Sequence, residues 1–255
     1  MTPQAARAAL AWLIDMGADE VICEASMNRF LAVAPAPVNV APPAPLLRPA
    51  PKPAVRKEIV EGPAPDANAC MSIGDIQNAL MRLDECPLKR TASNLCFAGG
   101  NAEASIMIIG DVPGRDEDIE GKVFAGQNAL LLEKMLGAIG LSVDLVSLFN
   151  FIPWRPPGNR AVTEAEVQMC QPFMLRAIEL CQPKHILSFG MLPMQRLLGR
   201  SESLIMLRGK LFELTSGDRN IPFMASYHPG YLIQQPTQKR LVWRDLLTFK
   251  EAFDG

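Results

Sequence analysis

Residues 106–127 read IMIIGDVPGRDEDIEGKVFAGQ, and this stretch decides the fold class. Four apolar residues at 106–109 run directly into a Gly-Asp-x-Pro-Gly loop at 110–114. A short apolar run that ends at Gly and Pro is typical of a buried parallel strand. Because ligands of open α/β sheets bind outside the carboxyl ends of the strands, Asp111 is predicted to stand at the mouth of a site.

The chain beyond residue 70 alternates between strand-like and helix-like runs. The strand-like runs are 105–109, 144–150, 185–189 and 222–227, and the helix-like runs are 127–139, 163–181, 191–199 and 238–253. Thr163 followed by Glu166 is a capping box that opens the second of these helices. The alternation predicts an α/β fold, namely a three-layer α/β/α sandwich with a central four-stranded parallel sheet.

Three segments differ in composition and predict the domain organisation. Residues 1–33 are predicted to form a short helical element. Residues 34–69 are rich in Pro and Ala, which prevents helices and sheet ladders and indicates a disordered linker. Residues 70–255 are predicted to form the folded domain.

Composition narrows the class of protein. The chain has 255 residues and a formal net charge of −2, which disfavours a strongly basic nucleic-acid coat protein but permits local phosphate contacts. No apolar run approaches the ~20 residues of a membrane helix, and no signal peptide is recognisable, so we expect a cytoplasmic protein without a membrane partner. Six scattered cysteines without a CxxC pair disfavour a disulfide scaffold and the usual thiolate metal site.

Polar residues follow two more of the strand-like runs. Asn150 ends a strand, where Asn is disfavoured, and a buried carboxamide offers a donor and an acceptor that suit a pyrimidine edge. His228 opens a His-Pro-Gly sequence, 228–230, at another strand end. A lone histidine is more often structural than catalytic, but this position favours a functional role.

Each of these features also has an ordinary structural explanation. Asp111 can cap a helix, the acidic run 116–118 can be a solvated loop, Phe124 and Trp154 can be core residues, and His185 is interpreted as structural. Exposed basic residues are usually solvated, but at the mouth of a site they contact phosphates. The basic residues near these strand ends are Arg155, Arg160, Arg208, Lys210, Lys239 and Arg240.

Taken together, these motifs resemble the uracil-DNA glycosylase superfamily, and most closely its family 4 branch. The sequences GDVPGRDEDIEGKVFAG, FNFIPWRPPGNR, LRGK and YHPGYLI match four family motifs in the right order, over about residues 78–253. The resemblance implies a monofunctional glycosylase that hydrolyses the N-glycosidic bond of uracil in DNA, leaves an abasic site and initiates base-excision repair. We expect a monomer whose partner is uracil-containing DNA, with the N-terminal segment a candidate contact for a repair protein.

The resemblance also implies roles for individual residues in a pocket that receives a flipped base. Phe124 would stack on uracil, Asn150 would read its imide edge, and His228 would donate to the carbonyl where negative charge grows. Asp111 or Glu117 would position the attacking water. Further residues implied to bind substrate are Gly110, Gly114, Pro229 and Gly230, and those implied to bind DNA are Arg155, Arg160 and Arg208.

Two departures from the family pattern lie within these motifs. Asp111 stands where the family usually has the longer Glu, so either Asp111 or Glu117 is the carboxylate that acts on water. Gly230 stands where the family has Ser, which removes a hydroxyl but keeps a backbone N–H.

A third departure concerns the [4Fe–4S] cluster of the family. Cys86 and Cys170 match the second and fourth cluster ligands, but Leu83 and Trp154 stand at the first and third positions. Cys70 and Cys96 have the wrong spacing to replace them. We therefore predict no metal and no cofactor, with Leu83 and Trp154 filling the space by apolar packing.

The departures leave two alternative functions open. One is a degenerate, non-catalytic module that binds uracil or damaged DNA. The other is a glycosylase for another deaminated base, such as xanthine or hypoxanthine, although Asn150 favours uracil.

Overall fold

The computed structural model describes residues 66–254, which form a mixed six-stranded sheet with helices on both faces. The strands are β1 (Ala98–Gly100), β2 (Ile106–Gly110), β3 (Val146–Asn150), β4 (His185–Phe189), β5 (Leu211–Ser216) and β6 (Arg219–Ser226). Their order across the sheet is β1-β3-β2-β4-β6-β5. This arrangement confirms the predicted α/β sandwich.

The centre of the sheet is the predicted four-stranded parallel unit. Strand β2 pairs in parallel with β3 on one side and β4 on the other, and β4 pairs in parallel with β6. In this register Gly110 is level with Asn150 on β3 and with Phe189 on β4. The carboxyl ends of the four strands therefore lie along one edge, as a site at that edge requires.

Two antiparallel edge strands widen the sheet beyond the prediction. Strand β1 pairs with β3, and β5 pairs with β6 through a tight turn in which Gly217 has a φ of +58°. Strand β1 is only Ala-Gly-Gly, which has no strand propensity, and β5 is largely exposed. Both strands are held by pairing with a neighbour, which a local sequence pattern does not reveal.

The four predicted helices are present, with ends shifted by one or two residues, together with shorter helices that were not predicted. The α-helices are α1 (Ile73–Met81), α2 (Pro87–Thr91), α3 (Arg115–Glu120), α4 (Gly126–Gly137), α5 (Glu164–Cys181), α6 (Leu192–Leu198), α7 (Leu204–Leu207), α8 (Pro229–Gln234) and α9 (Lys239–Asp254). Single 3₁₀ turns are Ala67–Ala69, Val143–Leu145, Pro157–Asn159 and Pro236–Gln238. None of the helices described is long and apolar enough to cross a membrane.

Strand β2 divides the core into two layers because successive side chains point to opposite faces. Met107 and Ile109 join a layer that includes Phe173 of α5, and Ile106 and Ile108 join a layer that includes Phe249 of α9. All five residues of β2 are buried. The apolar run is therefore the central strand, as its composition predicted.

The predicted N-terminal helical element, residues 1–33, and most of the predicted linker lie outside the described residues. Of the linker, residues 66–69 are described. They include the 3₁₀ turn Ala67–Ala69, and Ala67 is buried in the core.

The predicted capping box at the start of α5 is confirmed. Thr163 Oγ1 accepts a hydrogen bond from the Glu166 N–H at 3.3 Å, and the Glu166 carboxylate accepts one from the Thr163 N–H at 2.8 Å. The guanidinium of Arg160 also binds this carboxylate and lowers the pKa of Glu166 to about 2. The first turn of the long helix is therefore tied to the loop that precedes it.

We expect Thr163→Ala to lower the free energy of unfolding by about 1 kcal/mol, because it removes a side-chain cap from the helix. Urea denaturation followed by circular dichroism measures the change. Ser203→Ala is the matched control, since Ser203 caps α7 without a side-chain hydrogen bond. Equal losses of unfolding free energy in the two variants would show that the side-chain hydrogen bond of Thr163 does not stabilise the protein.

Candidate active site

Three predicted site residues meet around Gly110, at the carboxyl end of β2. A Cβ atom built on Gly110 would lie 2.7 Å from Asn150 Oδ1 and 3.2 Å from the Phe124 ring. The ring of His228 stacks on Phe124, with centroids 5.5 Å apart and planes 20° from parallel. Only a residue without a side chain fits at position 110, so Gly110 permits the other three to come together.

Phe124 takes an unusual backbone conformation. Its φ is +54°, which lies in the left-handed region that costs a bulky residue about 1–3 kcal/mol. Its ring is buried and also meets Phe189 edge to face, with centroids 6.3 Å apart. Strain of this kind persists where the surroundings impose it, and here it directs an aromatic ring toward the end of the sheet.

Asn150 has a fixed orientation. The residue is 2% exposed, and its Nδ2 donates a hydrogen bond to the Cys96 carbonyl at 2.9 Å. Because a carbonyl only accepts, the amide nitrogen must face Cys96, and Oδ1 then faces Gly110. The side chain therefore presents an acceptor oxygen, with one amide hydrogen still unassigned, on the Gly110 side.

His228 is held as a neutral ring of one tautomer. Its Nδ1 accepts a hydrogen bond from the Gly230 N–H at 3.1 Å, at the start of α8. Burial lowers the pKa of His228 to about 4, so the ring is uncharged at neutral pH. With Nδ1 as acceptor, Nε2 bears the hydrogen and is available as a donor.

The acidic run 116–118 is not the solvated loop that its composition suggested. It forms the first turn of α3, where carboxylates favour the positive end of the helix dipole. Asp118 is buried and accepts hydrogen bonds from the Ser93 and Asn94 backbones at 2.8 and 3.3 Å. Two of the three acidic residues are therefore structural.

Glu117 is the second of these buried carboxylates. It is 3% exposed and accepts hydrogen bonds from the Gly114 N–H at 3.0 Å, the Ala125 N–H at 3.5 Å and Asn128 Nδ2 at 2.8 Å. These donors come from both ends of the loop around α3 and from α4. Glu117 thereby fixes the segment that carries Phe124.

Asp111 lies at the ends of β2 and β4. Its two carboxylate oxygens accept hydrogen bonds from the Met191 and Leu192 N–H groups at 3.2 and 3.0 Å, so it caps α6. Gly190, with φ +117°, leaves room for the carboxylate, which a Cβ there would overlap. Burial raises the pKa of Asp111 to about 7 despite these two donors. Asp111 therefore caps a helix, as its ordinary structural explanation suggested, at the strand end where the mouth of a site was predicted.

The predicted DNA-binding arginines do not form one cluster of unpaired charges. Arg160 binds Glu166 with two nitrogens, and Arg208 binds Asp245 while lying 5.4 Å above the Tyr227 ring. Arg155 donates to Asn159 within its own loop. Arg160 and Arg208 therefore brace the loops, and neither is presented as a free cation.

The cluster positions do not suit a [4Fe–4S] group. Leu83, Cys86, Trp154 and Cys170 are all buried in the same core layer, and two of them have no sulfur. The hydrogen bond between the two thiols, together with burial, raises the pKa of Cys170, and the same hydrogen bond lowers the pKa of Cys86 to about 6. In residues 66–254 no group of three His, Cys, Asp or Glu side chains is placed to hold a metal ion.

Sequence reasoning missed two polar residues that support the site. Asn128 joins Glu117 to the region of Gly230. Asp245 on α9 is buried and binds both Arg208 and Ser226, which is two residues before His228. Both occur in helices with an ordinary polar pattern, so no local sequence signal distinguishes them.

Comparison with known proteins identifies the family of this chain. The model of the uracil DNA glycosylase superfamily matches residues 97–247. The type-4 uracil-DNA glycosylase of Archaeoglobus fulgidus is 32% identical over 169 residues, which cover 65% of this chain and 85% of that protein. The type-4 enzyme of Saccharolobus solfataricus is 32% identical over 185 residues, covering 71% and 86%. That of Thermotoga maritima is 29% identical over 174 residues, covering 67% and 89%.

The match extends over most of the folded domain and includes every strand end described above. With its fold, its motifs and these relatives in agreement, the chain belongs to the uracil-DNA glycosylase superfamily.

Proposed function

We propose that this protein is a uracil-DNA glycosylase that hydrolyses the N-glycosidic bond, leaves an abasic site and so initiates base-excision repair. The observation that supports this most is the meeting of Phe124, Asn150 and His228 around Gly110. A base in a duplex must leave the stack to reach such a pocket. The relatives named type-4 uracil-DNA glycosylase support the same activity.

Asn150 accounts for the choice of uracil. Its Oδ1 is an acceptor for the imide N–H of uracil, and the remaining Nδ2 hydrogen is a donor for the neighbouring carbonyl. Cytosine presents an acceptor and an amino donor at those places. Its acceptor would face the Asn150 oxygen, and its amino group would face the Asn150 NH₂ group. Since Cys96 holds the amide, a flip to suit cytosine would break a buried hydrogen bond.

His228 and Phe124 act on the base as it leaves. The Nε2–H of neutral His228 donates to the second uracil carbonyl, where negative charge accumulates as the bond to deoxyribose breaks. Phe124 offers its ring face to the base and is held in place by its strained backbone. Both groups are set in position before substrate arrives, so no reorganisation is needed during the reaction.

Asp111 is the better candidate for the carboxylate that orients water. It is half-buried at the strand ends, whereas Glu117 is 3% exposed and bound by three donors. In this proposal an ionised Asp111 accepts a hydrogen bond from the attacking water and stabilises positive charge on the sugar. Glu117 instead holds the loop that presents Phe124.

Contacts to DNA phosphates are proposed for Arg155 and for the exposed Lys210, Lys239 and Arg240. Arg160 and Arg208 are proposed to stabilise the loops that carry them, since each binds a carboxylate of the protein. The monomeric state, the cytoplasmic location and a contact between the N-terminal segment and a repair protein stay predictions from the sequence.

We expect the purified chain to release uracil from single-stranded or duplex oligonucleotides, and strand breaks to appear only after alkali, as for a monofunctional enzyme.

Gly110→Ala should reduce this activity by about 100-fold, because the new methyl group displaces Asn150 and Phe124 from their positions. Single-turnover cleavage assays with labelled oligonucleotides measure both.

Gly137→Ala is the matched control, because a Cβ there meets no other atom within 4 Å. It should leave activity unchanged and should not lower the melting temperature. Binding of uracil-containing DNA without any release by the wild type would favour the non-catalytic module. Release of xanthine or hypoxanthine but not uracil would favour the other base specificity.

We expect the rate of the wild type to rise with pH up to about 7 and then to level off. Below its pKa of about 7, Asp111 is protonated and no longer accepts from water, so the rate falls by about tenfold per pH unit. The ionisation of His228 should not change the rate between about pH 5 and pH 9, because its pKa is about 4. The measurement is the single-turnover rate across this range.

Asp111→Asn should give a slow rate that no longer depends on pH near 7. Asp66→Asn, which changes an exposed capping carboxylate, is the control and should keep the wild-type profile. A wild-type rate that does not change between about pH 5.5 and 8 would remove Asp111 from the role of water-orienting group.

We expect the protein to contain no stoichiometric iron, even after anaerobic reconstitution with iron and sulfide, because Leu83 and Trp154 supply no thiolate. Metal analysis and the visible spectrum test this. The double variant Leu83→Cys/Trp154→Cys restores a four-cysteine set and serves as the positive comparison. About four irons per wild-type chain would contradict the prediction.

A further inference from the structure

Asn128 bridges two loops that the proposed reaction uses separately. It lies in the first turn of α4, and its Nδ2 donates to Glu117 Oε1 at 2.8 Å. On its other side, its Oδ1 is 3.1 Å from the place where a Cβ on Gly230 would stand. One carboxamide therefore touches both the loop that carries Phe124 and the turn that carries His228.

The orientation of this carboxamide is determined by its neighbour. A carboxylate accepts hydrogen bonds, and Glu117 already receives two backbone N–H groups. The NH₂ group of Asn128 must therefore face Glu117, and the oxygen must face Gly230. The oxygen then occupies the space into which a side chain at position 230 would extend.

Gly230 is confined on its second side by His228. A Cβ on Gly230 would also lie 3.2 Å from His228 Nδ1, the atom that accepts the Gly230 N–H. Both distances are shorter than ordinary van der Waals contact, so a side chain at 230 requires Asn128 and His228 to shift by a few tenths of an ångström. The glycine at 230 therefore leaves room for both Asn128 and His228.

We propose that Asn128 is a positioning residue for His228, and that Asn128 and Gly230 form a matched pair in which each requires the other. This inference rests on the proposed glycosylase function. By packing against Gly230, Asn128 keeps the Gly230 N–H on His228 Nδ1, and so keeps the hydrogen on Nε2 aimed at the base. By binding Glu117, it keeps that turn in register with the ring of Phe124.

The test is a double-mutant cycle on the full chain with Asn128→Ala, Gly230→Ser and the combination. Each single variant should lower kcat about tenfold with little change in KM, because the affected interaction belongs to the transition state. In the combination the serine gains the space that Asn128 vacated. The kcat of the double variant should be about tenfold higher than the value expected if the two single effects simply multiplied. Gln127→Ala, an exposed neighbour on the same turn, is the control and should retain wild-type kinetics.

A second readout separates positioning from simple loss of structure. Asn128→Asp keeps the shape but replaces the donor toward Glu117 with a second negative charge, so it should reduce kcat more than Asn128→Ala. Additive losses in the double variant, or an unchanged kcat in Asn128→Ala, would overturn the proposal.

The same cycle measured by thermal unfolding does not depend on activity. Gly230→Ser should lower the melting temperature in the wild-type background and much less beside Asn128→Ala. If the wild type releases no uracil, the proposed function and the positioning role both fail, while this cycle still shows whether positions 128 and 230 compete for one space. Equal destabilisation in the two backgrounds would refute the matched pair.

Discussion

The close approach of Asn150 and Phe124 to the backbone of Gly110 is the constraint on which the site depends. Parallel pairing puts Gly110 level with Asn150, and any side chain at 110 would separate the amide from the ring. His228 then closes the group by stacking on Phe124. The grouping of these three side chains thus depends on one missing side chain at the end of the central strand.

Buried carboxylates hold the loops around this group. Glu117 binds the loop that carries Phe124, Asp118 binds the segment before β1, and Asp245 binds Arg208 and Ser226 beside the His228 turn. Each carboxylate has its charge compensated by backbone N–H groups or by a guanidinium, as a buried charge requires. Burial raises the pKa of Asp245 above its usual value in spite of Ser226 and Arg208, and it raises the pKa of Asp111 to about 7 in spite of two backbone donors. The ionisation of Asp111 therefore changes near neutral pH.

The sequence indicated the central part of the fold better than its borders. The run around Ile108 is continuous and apolar and the run around Leu187 is largely apolar, and β2 and β4 were predicted to within a residue. Strands β1 and β5 have weak or exposed patterns and exist because they pair with β3 and β6. Likewise the acidic run 116–118 looked solvated, since a local pattern does not show that backbone donors will surround it.

The amino-acid sequence by itself indicated the order of the central strands and main helices and the residue types at the strand ends, because hydrophobic period and turn chemistry are local properties. The resemblance to the family came from its motifs. Apart from the Thr163–Glu166 capping box, tertiary structure decided what the polar groups around the site bind. It paired Arg208 with Asp245, turned Glu117 into a brace, and set Asn128 against Gly230. Those outcomes depend on contacts between residues far apart in the chain, and hydrogen-bond partners are chosen by geometry that only the folded sheet provides.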